Sequence, residues 1–292
     1  MTTAVKAKAV SKNVPTFRKT PISLKANAPA FREILRDFTP VGDRSINTSA
    51  SEGSAQFSHR ELAWKRSLDL ACIFISLPFT LPLMIMIVLW VRLVSRGPAL
   101  FCQERIGLDG KRFVLYKFRS MKMNAGTGRH ETYLRHLVKS DSPMVKLDLL
   151  CDSRLIPGGC FLRAAGLDEL PQLLNVLRGE MSLVGPRPCL PEEYVYFSEK
   201  QRERFAVLPG LTGGWQVSGK NQTTFSEMNV MDIRYVRQAS LKLDLSIMLR
   251  TPTALLVQMC QAFQQGRTAR QNEAFDGSGH KSESGCRTQR LG

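Results

Sequence analysis

Two adjacent carboxylates at the start of a predicted helix are the residues in this chain best suited to chemistry. Asp168 and Glu169 come directly before Leu170 and Pro171, and a proline in the first turn is typical of a helix start. Free N–H groups and partial positive charge at such a start stabilise ionised carboxylates. An ionised Asp168 can act as a nucleophile or bind Mg²⁺, and Glu169 can accept a proton. Acidic residues are also ordinary at helix starts, which leaves a purely structural role open.

Candidate phosphate-binding cations occur in two further places. Arg187 stands between Pro186 and Pro188, and the two prolines fix the backbone around a guanidinium that suits bidentate phosphate binding. Lys117 and Arg119 are two residues apart in a predicted strand, which places both on one face. A rigid surface loop and a solvated strand edge are the alternatives.

One glycine-rich segment comes close to a nucleotide-binding loop but lacks its context. Gly214–Asn221 follows the pattern G-x-x-x-x-G-K-[ST] except that Asn221 replaces the Mg²⁺-binding hydroxyl. The preceding Leu208-Pro209-Gly210 is a turn signal, whereas the motif requires a buried strand. We therefore exclude a nucleoside triphosphatase. His130 and His136 form no metal-binding pattern.

The elements that must position these residues indicate a helix-rich α/β domain. Alternating large residues and a glycine turn predict a strand pair, and apolar residues at helical spacing predict two helices. A final apolar stretch is interrupted by Pro252 and carries charges, which favours an interfacial or core helix. The predicted segments are strands Phe101–Glu104 and Phe113–Phe118, helices Leu167–Leu177 and Pro191–Val207, and the stretch Leu241–Phe263.

An uncharged run precedes this domain. The 22 residues from Leu70 to Val91 carry no charged side chain and would be about 33 Å long as a straight helix, enough to cross a bilayer. Pro78 and Pro82 each remove a helix hydrogen bond near the middle, and Ser76 can satisfy a freed carbonyl. Basic residues flank both ends, so both favour the cytoplasmic face. We predict a helix-break-helix that enters one leaflet and returns, with a straight spanning helix as the alternative.

The composition narrows the classes of partner. The 292-residue chain has 41 Lys and Arg against 25 Asp and Glu, a formal net charge of +16. Such a charge indicates either an anionic membrane partner or nucleic acid. No basic stripe interleaved with aromatic residues is present, so we expect no nucleic-acid partner. The seven scattered cysteines and four histidines indicate neither a disulfide framework nor a zinc site.

Several motifs in one order resemble the bacterial sugar transferases, the monotopic polyprenyl-phosphate phosphoglycosyl transferases. The resemblance covers about Trp64 to Leu256. Its motifs are Lys65–Asp69, Gln103–Gly107, Lys117–Met121, Leu162-Arg163, Leu167–Leu173, Asn175–Ser182, Val184–Pro188, Pro209–Gly213, Trp215–Gly219, and Asp232 with Tyr235.

The resemblance implies a reaction and a role for each matching residue. A UDP-sugar would transfer its sugar-1-phosphate to undecaprenyl phosphate with release of UMP, through a covalent intermediate on Asp168 with Mg²⁺ bound nearby. Glu169 matches the catalytic partner, and Arg163 and Arg187 match substrate-binding arginines. Lys117 matches a cation of the basic strand. To this substrate-binding set we add Arg119 and Asp244, and Ser76 and Pro78 match the break in the membrane helix.

The same resemblance implies location and partners. We expect a monotopic protein of the bacterial inner membrane, in contact with its lipids, with a catalytic domain and interfacial amphipathic helices facing the cytoplasm. Other polysaccharide-assembly proteins and a homo-oligomer are further possible partners, and a non-enzymatic scaffold of glycan assembly is the alternative function. The predicted parts are a disordered basic arm and linker (1–60), a re-entrant membrane helix (61–96), a catalytic domain (97–260) and a disordered tail (261–292).

Three positions depart from the family pattern. Asp152-Ser153-Arg154 stands where Asp-Pro-Arg is frequent, Gly166 where Ser or Thr is usual, and Lys220 where Arg is common. None of these removes a catalytic role. They leave the identity of the sugar open.

Overall fold

The computed structural model describes residues 59–123, 154–219 and 223–279. The predicted arm before residue 59, His130, His136, Asp152, Lys220 and Asn221 lie outside these ranges. The described chain is rich in helix and has little sheet. Its elements are α1 His59–Val94, β1 Leu100–Ile106, β2 Arg112–Phe118, α2 Gly159–Ala164, α3 Leu173–Arg178, β3 Ser182–Val184, α4 Pro191–Tyr194, α5 Glu199–Arg202, β4 Gly210–Thr212, α6 Gly214–Val217, α7 Phe225–Gln238 and α8 Leu241–Gly279, with 3₁₀ turns at Leu108–Gly110, Leu167–Gln172 and Glu203–Ala206.

The uncharged run forms most of α1. The stretch Ala63–Val94 is long and apolar enough to cross a membrane. The helix continues through Pro78 and Pro82. None of residues 74–86 is buried, whereas Ile73 and Ile87 on either side are. Helix α1 therefore packs against the rest of the fold near both of its ends and exposes the apolar side chains between them.

Two hydrophobic clusters receive the two ends of α1. Near the start, Ile73 packs with Leu115 of β2 and with Val176 and Met181, which flank the end of α3. Near the end, Ile87 and Val91 pack in a second cluster with Ala99, Phe118, Ile156 and Leu162. Strand β2 contributes to both clusters through Leu115 and Phe118. Strand β2 is therefore packed against α1 through both clusters.

Strands β1 and β2 form the antiparallel hairpin that the sequence predicts. The pairing runs from Leu100 opposite Phe118 to Ile106 opposite Arg112. Lys117 lies opposite Phe101, and Arg105 lies two pairs further along the same face. The hairpin therefore directs Lys117 and Arg105 to the same side of the sheet.

A second, parallel pair brings distant parts of the chain together. Ser182 of β3 pairs with Gly210 of β4, and Val184 pairs with Thr212. The backbone approach is close: a Cβ atom on Gly185 would lie 2.5 Å from the Leu208 carbonyl oxygen and 2.8 Å from the Gly210 nitrogen. This contact fixes where the chain leaves β3.

The helix predictions are correct in part. Leu167–Leu177 is helical but begins as a 3₁₀ turn that contains Pro171, and α3 starts only at Leu173. The single helix predicted over Pro191–Val207 is wrong. The first helical segment ends at Tyr194, and Ser198, which has extended backbone and accepts a bond from the Gln201 amide, caps the next one. Helix α8 continues to Gly279, into the range predicted as a tail.

Candidate active site

A left-handed glycine presents the two carboxylates. Gly166 has φ 69° between α2 and the 3₁₀ turn, a conformation that glycine adopts without steric cost. Its carbonyl accepts a hydrogen bond from the Glu169 amide at 3.1 Å. Asp168 is 7% exposed, and the Glu169 side chain beside it is 28% exposed. The sharp turn thus places a nearly buried carboxylate next to one that other side chains can reach.

Strand β2 supplies the cation that meets this pair. Lys117 Nζ lies 3.1 Å from Glu169 Oε1, and both side chains are about three-quarters buried. Partial burial makes such a pair stronger than an exposed one, because water screens it less. The structure therefore brings together Lys117 and Glu169, which are 52 residues apart in the chain.

Arg163 comes from α2, directly before the carboxylates. Its Nη1 donates to Ser120 Oγ at 3.4 Å, and Ser120 lies just after the end of β2. The side chain is half-buried. Arg163 thus reaches the end of β2 that carries Lys117.

The loop Gly185–Pro188 contributes Arg187. Its Nη1 lies 3.3 Å from Glu193 Oε1, and that carboxylate also accepts the Leu190 amide at 2.9 Å. Glu193 raises the pKa of Arg187. Burial alone would raise the pKa of Glu193, but Arg187 and Arg105 outweigh it and hold that pKa below the ordinary value. The charge of Glu169 also raises the pKa of Arg187, by less than that of Glu193.

Arg105 is a site residue that the sequence reasoning did not assign. Burial, followed by repulsion from Arg187, lowers its pKa to about 10, while Glu193 and Glu169 act in the opposite direction. Its Nη2 donates to Gln103 Oε1 at 2.7 Å and its Nη1 to the Pro188 carbonyl at 3.4 Å. The sequence signal that could have identified Arg105 is its alternation with Gln103 and Phe101. This alternation predicts that Arg105 lies on the same face of the hairpin as Lys117.

Two predicted substrate-binding residues contact the ends of α1. Arg119 is buried and donates to the carbonyls of Ser95 at 2.9 Å and Gly97 at 3.4 Å, just after α1 ends. Asp244 is buried and accepts from Lys65 at 2.5 Å and from the Tyr235 hydroxyl at 2.7 Å, near the start of α1. These contacts join α1 to the domain, and the substrate-binding role of both residues stays a prediction.

The Ser76 hydroxyl bonds to a carbonyl of α1 next to the one that Pro78 leaves without a donor. This hydroxyl donates to the Ile73 carbonyl at 3.1 Å. Pro78 removes the donor for the Phe74 carbonyl, one residue further on. Ser76 therefore stabilises the turn before the proline without replacing the lost bond itself.

The carboxylate pair has the chemistry of a magnesium site with few protein ligands. Within the described ranges, no group of three or more His, Cys, Asp or Glu side chains could hold a metal ion by itself. Mg²⁺ is commonly held by one or two carboxylates, with substrate phosphates and water completing its shell. Asp168 and Glu169 fit that requirement.

The fold and the site define a helix-rich domain that gathers cations around two carboxylates beside a long apolar helix. A comparison with protein-family models identifies the family of this domain: the model of the bacterial sugar transferases matches residues 60–258. The chain belongs to the bacterial sugar transferase family.

Several curated proteins are similar to this chain. The galactosyl transferase CpsE of Streptococcus agalactiae is 35% identical over 226 residues, which are 75% of this chain and 49% of CpsE. The undecaprenyl-phosphate galactose phosphotransferase of Salmonella typhimurium is 38% identical over 66% of this chain and 40% of its own length. The chain thus spans half or less of these two relatives. The UDP-glucose:undecaprenyl-phosphate glucose-1-phosphate transferase of Caulobacter vibrioides is 40% identical over 66% of this chain and 69% of its own length.

Proposed function

We propose that this protein transfers a sugar-1-phosphate from a UDP-sugar to undecaprenyl phosphate and releases UMP, as a first membrane step of exopolysaccharide, capsule or similar glycan assembly. The observation that carries the proposal is the nearly buried Asp168 beside Glu169, whose Oε1 lies 3.1 Å from Lys117 Nζ. The names of the Salmonella and Caulobacter relatives describe transfers of this kind.

In the proposed mechanism the reaction has two displacements at one phosphorus atom. An Asp168 carboxylate oxygen attacks the phosphorus that carries the sugar, and the bond from that phosphorus to the UMP oxygen breaks. A phosphate oxygen of undecaprenyl phosphate then attacks the same phosphorus, and the bond to Asp168 breaks. Each step exchanges one P–O bond for another, so no oxidant or reductant is required.

The cations of the site offset charge in both displacements. Both substrates are anionic, and an ionised nucleophile approaches a phosphate only where that charge is neutralised. Lys117 and Arg187 would bind phosphate oxygens, Arg163 would hold the substrate beside the carboxylates, and Glu169 would orient Lys117. Mg²⁺, held by Asp168 and Glu169, would supply further charge neutralisation when bound.

We also propose that α1 enters one leaflet and returns, so that the catalytic domain stays on the cytoplasmic side of the inner membrane. Near the start of α1, Asp69 Oδ1 accepts the Leu183 amide at 3.0 Å; near the end, Trp90 Nε1 donates to the Pro157 carbonyl at 3.4 Å. Both ends therefore contact one domain. A hydrocarbon core about 30 Å thick would separate the ends of a spanning helix. Basic residues at both ends favour the cytoplasmic face.

Release of UMP tests the proposed reaction. Protein in membranes or nanodiscs is incubated with undecaprenyl phosphate, Mg²⁺ and either UDP-glucose, UDP-galactose or their N-acetylated forms. We expect UMP release with at least one sugar, lowered roughly 10³-fold or more by Asp168→Asn. Glu192→Gln, an exposed carboxylate change, is the matched control and should keep full activity. Full activity of Asp168→Asn, or no release by the parent chain with any of the four sugars, would contradict the proposal.

A further inference from the structure

A buried arginine lies behind the loop that carries Arg187. Arg204 is 1% exposed, and its guanidinium lies over the rings of Phe197 at 4.9 Å and Phe205 at 5.6 Å. Its Nη1 donates to Asn229 Oδ1 at 2.7 Å, and its Nη2 lies 2.5 Å from Asp232 Oδ2. A fully buried charge of this kind is stable only where it is paired and hydrogen-bonded.

The same guanidinium also holds the backbone of the site loop. Arg204 Nη2 donates to the carbonyl oxygen of Arg187 at 3.0 Å. The Arg187 backbone also acts on Asp232, where it offsets part of the rise in pKa that burial causes. The contact therefore acts on the backbone of the residue whose side chain the proposed function assigns to phosphate binding.

Every carbonyl in this part of the loop has a donor from another element. The Pro186 carbonyl accepts the Gly210 amide at 2.8 Å, and the Cys189 carbonyl accepts the Ile106 amide at 2.9 Å. Between them, the Arg187 carbonyl accepts from Arg204, and the Pro188 carbonyl from Arg105 at 3.4 Å. Two backbone amides and two buried arginines thus fix four consecutive peptide units.

We infer that Arg204, held by Asp232 and Asn229, is a positioning residue that orients Arg187 toward the substrate phosphates. The inference rests on the proposed function, because that function gives Arg187 a phosphate to bind. A rigid backbone matters here since a guanidinium displaced by about 1 Å loses much of its contribution to a transition state. The planar fork of arginine reaches Asn229, Asp232 and the Arg187 carbonyl together, which the single ammonium of lysine cannot do.

A double-mutant cycle between Arg204 and Arg187 tests the inference. Arg204→Lys should lower kcat/KM for UMP release roughly 10- to 100-fold, as expected for a group that orients another. In an Arg187→Gln background the same change should lower it by less than about threefold, because the guanidinium that it positions is absent. Equal losses in both backgrounds would mean a general structural role and would overturn the inference.

The chain offers a matched control and a milder variant. Arg237 and Glu203 join the same two elements, α7 and the 3₁₀ turn Glu203–Ala206, through an exposed ion pair at 2.7 Å. Arg237→Lys should leave kcat/KM unchanged. If Arg204→Lys does not fold, Asp232→Asn, which keeps an acceptor oxygen and removes the charge, replaces it in the same cycle and is expected to show the same lack of additivity.

Hydrogen exchange separates this inference from the proposed function. In Arg204→Lys or Asp232→Asn, a peptide covering 183–190 should exchange faster than in the parent chain, with α8 unchanged. This readout does not require turnover. Unchanged exchange of the loop overturns the inference even when the parent chain is active. Faster exchange in a chain that is inactive with every UDP-sugar contradicts only the proposed function.

Discussion

At the scale of single residues, we expect the ion pair between Lys117 and Glu169 to serve catalysis more than stability. Both side chains are part-exposed, and such pairs contribute about 1 kcal/mol or less to folding. In the proposed reaction, however, Lys117 faces developing negative charge on a phosphate. Lys117→Gln should lower kcat/KM for UMP release roughly 100-fold and leave the melting temperature nearly unchanged.

Strand β2 also provides a control for this prediction. Arg112 pairs with Glu104 across the same hairpin at 3.2 Å, and both side chains are exposed. Arg112→Gln removes a cation of the same strand but should change neither kcat/KM nor stability. Equal activity losses in the Lys117 and Arg112 variants would indicate a nonspecific charge effect.

Asp232 makes folding stability depend on pH. Burial raises its pKa from 3.8 to about 6, and the charges of Arg204 and Arg187 offset this only in part. Because the folded state binds the proton more tightly, the contribution of Asp232 is fully present below pH 3.8 and is lost as pH rises through about 6.

Melting curves of the parent chain and Asp232→Asn between pH 4 and 7.5 check this sign. The stability of the parent chain should fall relative to the variant as pH rises, because the amide does not titrate. Other groups titrate equally in both proteins and cancel in the difference. Parallel profiles across this range would contradict the assignment of the raised pKa to Asp232.

Sequence reasoning singled out the residues of the site that lie in distinctive local patterns. Asp168, Glu169 and Lys117 stand beside a proline or in an alternating strand, and the structure brings Lys117 to Glu169. Sequence reasoning did not assign Arg204, because this arginine is buried against Asp232, a partner 28 residues away. Burial of a charged side chain depends on tertiary contacts, and no local spacing reports them.

At the scale of elements, the close approach of the backbone after β3 to the backbone before β4 requires glycine at position 185. A Cβ atom on Gly185 would meet backbone atoms of Leu208 and Gly210 at 2.5 and 2.8 Å, which cannot move aside as a side chain can. Gly185→Ala should therefore destabilise the fold by about 1–3 kcal/mol. It should also lower activity, since Gly185 begins the loop that carries Arg187.

Gly214 is the matched control for this change. A Cβ atom there meets nothing within 4 Å, and Gly214 is the first residue of α6, where alanine favours helix. Gly214→Ala should leave stability and activity unchanged or slightly raise stability. Denaturation in the same detergent or nanodisc measures both variants, and similar losses at the two positions would show that backbone crowding at Gly185 is not the cause.

The elements differ in how well the sequence predicts them. The hairpin follows from strict alternation around a glycine turn, so local information is sufficient. Pro191–Val207 has apolar residues at helical spacing, yet the segment turns at Ser198, where Phe197 enters a cluster with Phe205 and Phe225. Aromatic packing over this distance overrides the helical preference, and periodicity alone does not reveal it.

At the scale of the whole molecule, α1 is an apolar helix held by polar contacts near both ends. Lys65 pairs with Asp244 and stacks on the Tyr235 ring at 5.6 Å, while Arg119 holds the Ser95 carbonyl. Between residues 70 and 91 the exposed side chains are apolar, among them Phe74, Ile75, Phe79, Leu81, Ile85 and Met86. Exposed apolar surface of this extent indicates a membrane or partner contact. A helix whose buried residues lie on either side of this exposed stretch suits the re-entrant arrangement.

Site-directed labelling distinguishes a re-entrant from a spanning α1. In a cysteine-free background, single cysteines replace three exposed residues: Ser67 near the start of α1, Arg96 after its end, and Glu199 in the catalytic domain. A membrane-impermeant thiol reagent is added to intact and to permeabilised cells. We expect all three positions to react only after permeabilisation, because one domain contacts both ends of the helix. Reaction of Ser67→Cys in intact cells, with Glu199→Cys protected, would show that α1 crosses the bilayer.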